Sequence, residues 1–486
     1  MRVQDLIRRL SPLQAAGLAG LLLLAGNCPY LGNPPFWDDL MGLHRQALFL
    51  ARHGFDFAAL WASGDFWSGG ALVYKFNWPS LVYAVLYALF PPTAAHVAGH
   101  LLSIAATAAA AGCVFRILRQ DGMRAGAALL WSLAFICEPL VSVQSTSLGQ
   151  EPLQTVCFAA FLLAFAEKRH GWALGALAAA ALVKPAALVP AMAYCAVLAI
   201  ECLRGRSRAD MLRLAGAVGL MVLIGLLLIA DSDGASGGLS LRILFLRARE
   251  TLFYFPLPVL LAAAGAAAAL FRLKTEGYDR EYVLWLFWTA GFFAGYLTYS
   301  VPLPRYAASA VPVIVLLAAR ALPRPGYAGF AALLLGVLLQ SGAWYAPLPG
   351  HLRHSGEFLE RSRAYLEQQE ADRAMCAFLE ERCSADPVVA KWPYVQMLAE
   401  PAFGYVRKPL TQVYCAGILP RDLENVRKYP DPGLAKTKKA YYIFVCNSFE
   451  FFRDFGVPLA PERGCVPVWM PADVRQRGYW LIYRRP

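Results

Sequence analysis

Residues Glu167–Arg213 read EKRHGWALGALAAAALVKPAALVPAMAYCAVLAIECLRGRSRADMLR. Two apolar runs, about 171–184 and 186–203, flank a single Lys-Pro and are enclosed by basic clusters. The second run is near the ~20 residues with which an α-helix crosses a ~30 Å hydrocarbon core, and the first is short for such a span. Short basic connections are retained on the cytoplasmic side of a membrane, so both outer ends of this hairpin fall on one side and Lys184 on the other. The chain is therefore expected to be an α-helical polytopic membrane protein, and the same alternation can be followed in both directions.

Apolar runs recur from Leu13 to Tyr345, and 58% hydrophobic against 16% charged residues is the balance of a chain whose main solvent is the bilayer. With Met1–Arg9 cytoplasmic, the spans run from Leu13 to Tyr30 and then over 93–116, 124–143, 152–166, 171–184, 186–203, 211–230, 251–272, 282–300, 306–322 and 327–346. That is about 11 to 13 transmembrane helices, the range reflecting the short runs around Lys184. The net charge of +12 raises the question of nucleic acid, and the placement of the charge answers it. The basic residues sit between apolar runs, as in RILRQDGMR, EKRH, CLRGRSRADMLR, FRLKTEGYDR and ARALPRPG, where they set topology; no nucleic-acid partner is expected. The first run ends in LLLLAGNC, but Asn27 before Cys28 does not suit lipoprotein cleavage and further spans follow, so it reads as an uncleaved helix.

Residues 31–92 form the first outer loop. Within it Trp78–Phe90 is apolar but only about 13 residues long and bounded by prolines, which suits an interfacial or re-entrant segment. Three further stretches share the outer side: SVQSTSLGQEP, the Lys184 turn and SVPLPRY. Residues 1–346 are thus read as the membrane domain, and 347–486 as a small soluble extracytoplasmic α/β domain. The latter opens on a charged helical stretch, HLRHSGEFLERSRAYLEQQEADRAMCAFLEERC, and continues in strand-like runs such as PVVAKW, KKAYYIFVC and GYWLIYRR. Cys376, Cys383, Cys415, Cys446 and Cys465 lie in that outer part, where one or two disulfides are expected with one cysteine left over. Their spacing does not match a zinc site.

Several outer residues could carry chemistry. FWDDLMGLHRQALFLARHG places Asp38 and Asp39 just after the first span. Aspartate caps helices well, yet a pair beside the membrane also suits a general base or a cation ligand. Lys184 in LVKPAALVP, Arg305 in PLPRYAASA and Lys75 in VYKFNWPS are cations on the same side. A snorkelling role accounts for such residues individually, but arginine outside runs against the charge bias of loops. Gln150 and Glu151 in SLGQEPLQ join them, either as a polar turn opening the next helix or as ligands. His44, His53, His96 and His100 show no ligand spacing and are read as surface or packing residues.

In order and sidedness these pieces resemble the GT-C superfamily of polyprenyl-phosphate-sugar-dependent glycosyltransferases. That superfamily includes protein O-mannosyltransferases, the lipid A aminoarabinose transferase and polyprenol-phosphate-mannose-dependent mannosyltransferases. FWDDLMGLHRQALFLARHG is similar to the protein and lipid A transferases, while the GQ turn at Gln150 and the KP at Lys184 are closer to the mannosyltransferases. The resemblance covers about residues 30–322; it departs where Asp39 replaces a common glutamate and where NWPS replaces a fuller proline signature, so subfamily and acceptor stay open.

The resemblance implies transfer of a sugar, with mannose favoured, from a polyprenyl-phosphate donor to an acceptor hydroxyl on a lipid, glycan or protein, with inversion. It implies Asp38 as base, Asp39 as a supporting acid or ligand of a divalent cation (Mg or Mn), and Lys184, Arg305, Tyr306 and Lys75 at the donor phosphate. Gln150 and Glu151 would then be substrate contacts, and the protein would sit in the cell inner membrane among its lipids. The rival class is a multi-pass transporter or lipid-linked sugar flippase, which predicts mid-membrane charges and related halves. A non-catalytic scaffold gives no reason for the acids and cations to share a side.

Overall fold

The structure, a computed structural model, describes residues 9–36, 39–63, 78–205, 208–231, 248, 251–252, 255–298, 304–322, 324–340, 364–390, 394–415, 441–446, 466–469 and 479–484. In chain order the helices are α1 (Pro12–Asn27), α2 (Arg45–Arg52), α3 (Phe57–Ser63), α4 (Pro79–Leu89), α5 (Pro92–Gln120), α6 (Ala125–Ile136), α7 (Pro139–Gln144), α8 (Glu151–Ala166), α9 (His170–Val183), α10 (Leu188–Gly205), α11 (Arg208–Asp231), α12 (Pro256–Glu276), α13 (Arg280–Thr298), α14 (Val311–Ala321), α15 (Pro325–Gln340), α16 (Ala364–Arg382) and α17 (Tyr394–Ala399). The chain divides into two compact units. One comprises Met1–Pro29, His100–Ala346 and Glu360–Ser362, the other Tyr30–Gly99, Pro347–Leu359 and Arg363–Pro486.

In the first unit most spans expected from the sequence lie, over their described residues, on a single helix. By length and composition, four helices among the described residues can cross a membrane unaided: α5, α10, most of α11, and α12. Helix α1 begins where the sequence dictates. The Ser11 hydroxyl accepts from the Gln14 amide at 3.2 Å, the Gln14 side chain accepts from the Ser11 amide at 2.8 Å, and Pro12 takes the first helical position. Helix α14 is apolar all round and buried all round, from Val311 to Ala319, as a central helix should be. Gly265 of α12 lets the two helices approach closely, because a Cβ there would lie 2.9 Å from the Ala318 amide nitrogen. Aromatic rings fill the space between α8, α10 and α13, with Phe158 edge-on to Trp288 at 5.1 Å and Phe161 edge-on to Tyr194 at 5.5 Å.

The expected single span over 124–143 is a correction. Pro139 lacks an amide hydrogen and its ring clashes with the preceding turn, so the helix stops at Ile136 and restarts as α7. Glu138 caps the new start, its carboxylate accepting from the Val141 amide at 3.0 Å. Similarly, the span placed at 306–322 begins as a 3-10 turn, Pro304–Ala310, before α14.

One end of this unit gathers the basic connections. Arg320 pairs with Asp279 at 2.9 Å, with Asp121 at 3.7 Å and with Glu281. Arg280 lies 3.6 Å from Glu201 and donates to the Phe165 carbonyl at 2.7 Å, while Arg116 pairs with Glu167. The turns after α5, α8 and α12 and the last turns of α10 and α14 therefore meet at one end. Their grouping agrees with the charge alternation read from the sequence.

The second unit differs from the expected division at residue 346. Described parts of the first outer loop pack with the C-terminal segment: Leu48 of α2 is buried with Met375, Cys376 and Leu379 of α16, and Tyr87 of α4 packs on the same cluster. Gln369 donates to the Pro34 carbonyl, Tyr405 donates to the Pro35 carbonyl at 3.0 Å, and Arg52 grips Glu400 through two hydrogen bonds of 2.6 and 2.9 Å. The physical reason is that α2 and α4 are short and each has an apolar face to cover. Helix α4 has 11 residues, too few to span a bilayer at ~1.5 Å rise per residue, which fits the interfacial reading of that segment.

The C-terminal sheet has five strands in the order β2-β1-β3-β5-β4, with β1 (Val388–Ala390), β2 (Val413–Cys415), β3 (Tyr441–Cys446), β4 (Val466–Trp469) and β5 (Tyr479–Arg484). Strand β1 runs parallel to β2 and β3, and β5 antiparallel to β3 and β4. Pro467 lies on the edge strand beside a register shift, where a missing amide hydrogen is tolerated. Strands β1, β3 and β5 were visible as apolar runs; β2 and β4 are three and four residues long and carry little pattern. Cys376 and Cys383 are free thiols inside the core. They take no part in the one or two disulfides expected in this region; the side chains of Cys415, Cys446 and Cys465 lie outside the described residues.

Candidate functional site

At the end of the first unit opposite the basic cluster, three elements converge on Glu151. Helix α9 is stopped by Lys184-Pro185: helical backbone is disfavoured for the residue before a proline, and Lys184 is extended, with φ −160° and ψ 143°. A 3-10 turn, Pro185–Ala187, follows before α10. The second element is the start of α8, with Glu151 at its first position and Pro152 next. Arg305 and Tyr306 come from the 3-10 turn that precedes α14.

The Lys184 ammonium donates to Glu151 Oε1 at 2.6 Å, and Arg305 Nε lies 3.5 Å from the same oxygen. Glu151 is only 1% exposed and Arg305 8%. Lys184 Nζ also stands 4.0 Å from the centre of the Tyr306 ring, and the Arg305 guanidinium 5.9 Å from it. Gln154, one turn along α8, donates to the Lys184 carbonyl at 3.2 Å and so fixes the turn that carries the lysine. Among the described residues, Glu151 Oε2 and Gln150 Oε1 are buried without a hydrogen-bond partner.

The sequence candidates thus separate into two groups. Lys184, Arg305, Tyr306 and Glu151 are brought together, and Gln150 adjoins them. Lys75 and Asp38 lie outside the described residues. For Asp39 the backbone alone is described; it opens a π-helical turn, Asp39–His44, that leads into α2, a departure from α-helix that often marks functional positions. Among the described residues no three His, Cys, Asp or Glu side chains gather to hold a metal ion; the side chains of Asp38 and Asp39 are not among them.

Sequence reasoning missed two features. Gln154 lies at i+3 from Glu151, a spacing that puts both on one helix face, but nothing marked it as more than polar. In the second unit it is the link between His44 and His96, which are packing rather than surface residues. Both are buried, and they are joined through Tyr87, whose hydroxyl lies 2.8 Å from His44 Nδ1 and 3.2 Å from His96 Nε2. Burial, with help from Tyr83 and Glu400, holds the Tyr87 phenol well above its usual range. Their spacing in sequence gives no sign of a three-residue chain, because the link is a tyrosine.

The chain shares the fold of ArnT. The crystal structure of ArnT from Cupriavidus metallidurans bound to undecaprenyl phosphate superposes with a TM-score of 0.54 at 15% identity, over 96% of this chain and 98% of that one. The apo form of the same protein gives 0.55 at 16% identity, over 97% and 98%. No family model and no curated protein sequence matches the chain. Together with the apolar helices, this likeness makes the chain a multi-pass membrane protein of the GT-C fold, as its sequence resemblance implied. Activity has to be argued from the site, because one fold hosts many functions.

Proposed function

We propose that the protein is an integral membrane glycosyltransferase that moves a sugar from a polyprenyl-phosphate donor to an acceptor hydroxyl at the extracytoplasmic face. The observation that carries this reading is the meeting of Lys184 and Arg305, far apart in sequence, beside Tyr306 at the end of the helical unit opposite the basic connections. A ring of basic loops favours the cytoplasm for one end, and therefore the outer face of the inner membrane for the cation pair and for the C-terminal segment. An anionic phosphate on an apolar tail suits such a place: the tail stays in hydrocarbon, the phosphate meets a bidentate arginine and a lysine point charge. A protein with this fold, ArnT, has been crystallised bound to undecaprenyl phosphate, which supports the class of donor.

In the proposed reaction an acceptor hydroxyl oxygen bonds to the anomeric carbon while the bond from that carbon to the phosphate oxygen breaks. Asp38 takes the hydroxyl proton, and the electron pair of the broken bond leaves on the polyprenyl phosphate. Negative charge grows on the phosphate as the bond opens, so Lys184 and Arg305 bind the transition state more strongly than the ground state. Mannose is the sugar favoured, by the GQ turn at Gln150 and the KP at Lys184. Attack opposite the leaving phosphate inverts the anomeric centre.

The test is transfer in membranes supplied with labelled polyprenyl-phosphate mannose. Asp38→Asn is expected to abolish label incorporation while expression is retained. Full incorporation by that variant removes Asp38 as the base, and movement of the labelled lipid across the membrane without a glycosidic product would point to a flippase instead.

A further inference from the structure

The cation pair is not simply basic. Lys184 and Arg305 share one oxygen of Glu151, so among the described residues the cluster carries two positive charges and one negative. Buried ion pairs add little stability over apolar packing and are weak evidence of a structural role. Intramembrane charges are retained at functional sites. Glu151 also has an oxygen to spare, since Oε2 is buried and has no hydrogen-bond partner among the described residues. A carboxylate kept only to hold the fold would be expected to saturate both oxygens.

The two ligands that must alternate at such a cluster differ in charge. A sugar-phosphate-polyprenol donor is a phosphodiester with one negative charge. The released polyprenyl phosphate is a monoester carrying about −1.5 to −2 near neutral pH, as other phosphate monoesters do. A bare Lys-Arg pair would hold the monoester more tightly than the diester and would trap the product. One fixed negative charge beside them offsets one of these two positive charges and so narrows the preference for the monoester over the donor.

We infer that Glu151 is a positioning residue that sets the charge of the donor site, aligning Lys184 and Arg305 while keeping the spent lipid phosphate from binding too tightly. This goes beyond a sugar-contact role for Glu151, and it rests on the reading of Lys184 and Arg305 as the phosphate clamp.

The experiment is equilibrium binding of polyprenyl monophosphate and of its methyl phosphodiester to the purified full-length protein in lipid nanodiscs. Wild type is expected to bind the two at pH 8 within about threefold of each other. Glu151→Gln, which keeps the shape and removes the charge, is expected to bind the monophosphate at least about tenfold more tightly, with a smaller change for the diester. In turnover it should show stronger inhibition by added polyprenyl phosphate. Unchanged or weaker monophosphate binding in Glu151→Gln, with Lys184→Ala and Arg305→Ala each weakening it, overturns the role of Glu151 and leaves the clamp intact. If Lys184→Ala and Arg305→Ala leave both affinities unchanged, the clamp itself is wrong. Should Glu151→Gln fail to fold, wild type decides alone: a preference for the monophosphate above about thirtyfold at pH 8 overturns the inference.

Discussion

Arg305 shows what one residue contributes. Its guanidinium lies beside Glu151 and within 5.9 Å of the Tyr306 ring, a planar fork in a place where a lysine would be only a point charge. Arg305→Ala is expected to lower kcat/KM for the donor by on the order of 10²-fold, with Arg305→Lys intermediate because charge returns without the fork. Initial rates against donor concentration check this, and donor dependence unchanged in both variants would return Arg305 to a snorkelling role. The outer cations were legible in the sequence because arginine and lysine are rare outside the basic loops. That Glu151 is their common counter-ion was not legible, since Glu151, Lys184 and Arg305 are separated by long stretches of chain and ion pairing leaves no mark on local pattern.

At the scale of elements, close helix contacts depend on the absence of single methyl groups. A Cβ at Gly336 of α15 would meet the Cys137 carbonyl oxygen at 2.7 Å, and one at Gly265 of α12 would meet the Ala318 amide nitrogen at 2.9 Å. Both obstacles are backbone and cannot swing aside, so Gly336→Ala and Gly265→Ala are each expected to destabilise by about 1–3 kcal/mol, measured by reversible unfolding in detergent. Substitution at Gly175, whose Cβ would meet nothing within 4 Å, should change stability much less. Element identity was mostly readable, because an apolar run of this length admits few alternatives to a helix. Pro139 marks the break in the sequence as well, but the apolar run continues through it and hides the division. The pairing of helices was not readable: apolarity says that a helix is buried or in lipid, but not which neighbour covers it.

For the molecule as a whole, pH and the joining of distant segments matter most. Asp121, in the turn after α5, is pushed up to about 7, chiefly by burial, which Arg320 opposes and Glu281 and Asp279 reinforce. A carboxyl raised in the folded state contributes stability below the ordinary carboxylate range, and that contribution is lost as pH rises through about 7. Asp121→Asn should therefore raise the melting temperature more at pH 8 than at pH 5.5, and an equal shift at both would show that Asp121 does not titrate there. In the second unit, Tyr405→Phe removes only the hydroxyl that donates to the Pro35 carbonyl and is expected to cost about 0.5–1.5 kcal/mol; proteolysis at low protease concentration would report it. The sequence by itself determined the membrane class, the helices and which connections share an end, because length, apolarity and charge act locally and each segment obeys them alone. Tertiary structure decided that Glu151 pairs with both cations, that His44 and His96 meet on Tyr87, and that described parts of the first outer loop share a core with the C-terminal segment. Each depends on residues that come together only when the chain is folded, and charge pairing and burial are properties of that neighbourhood.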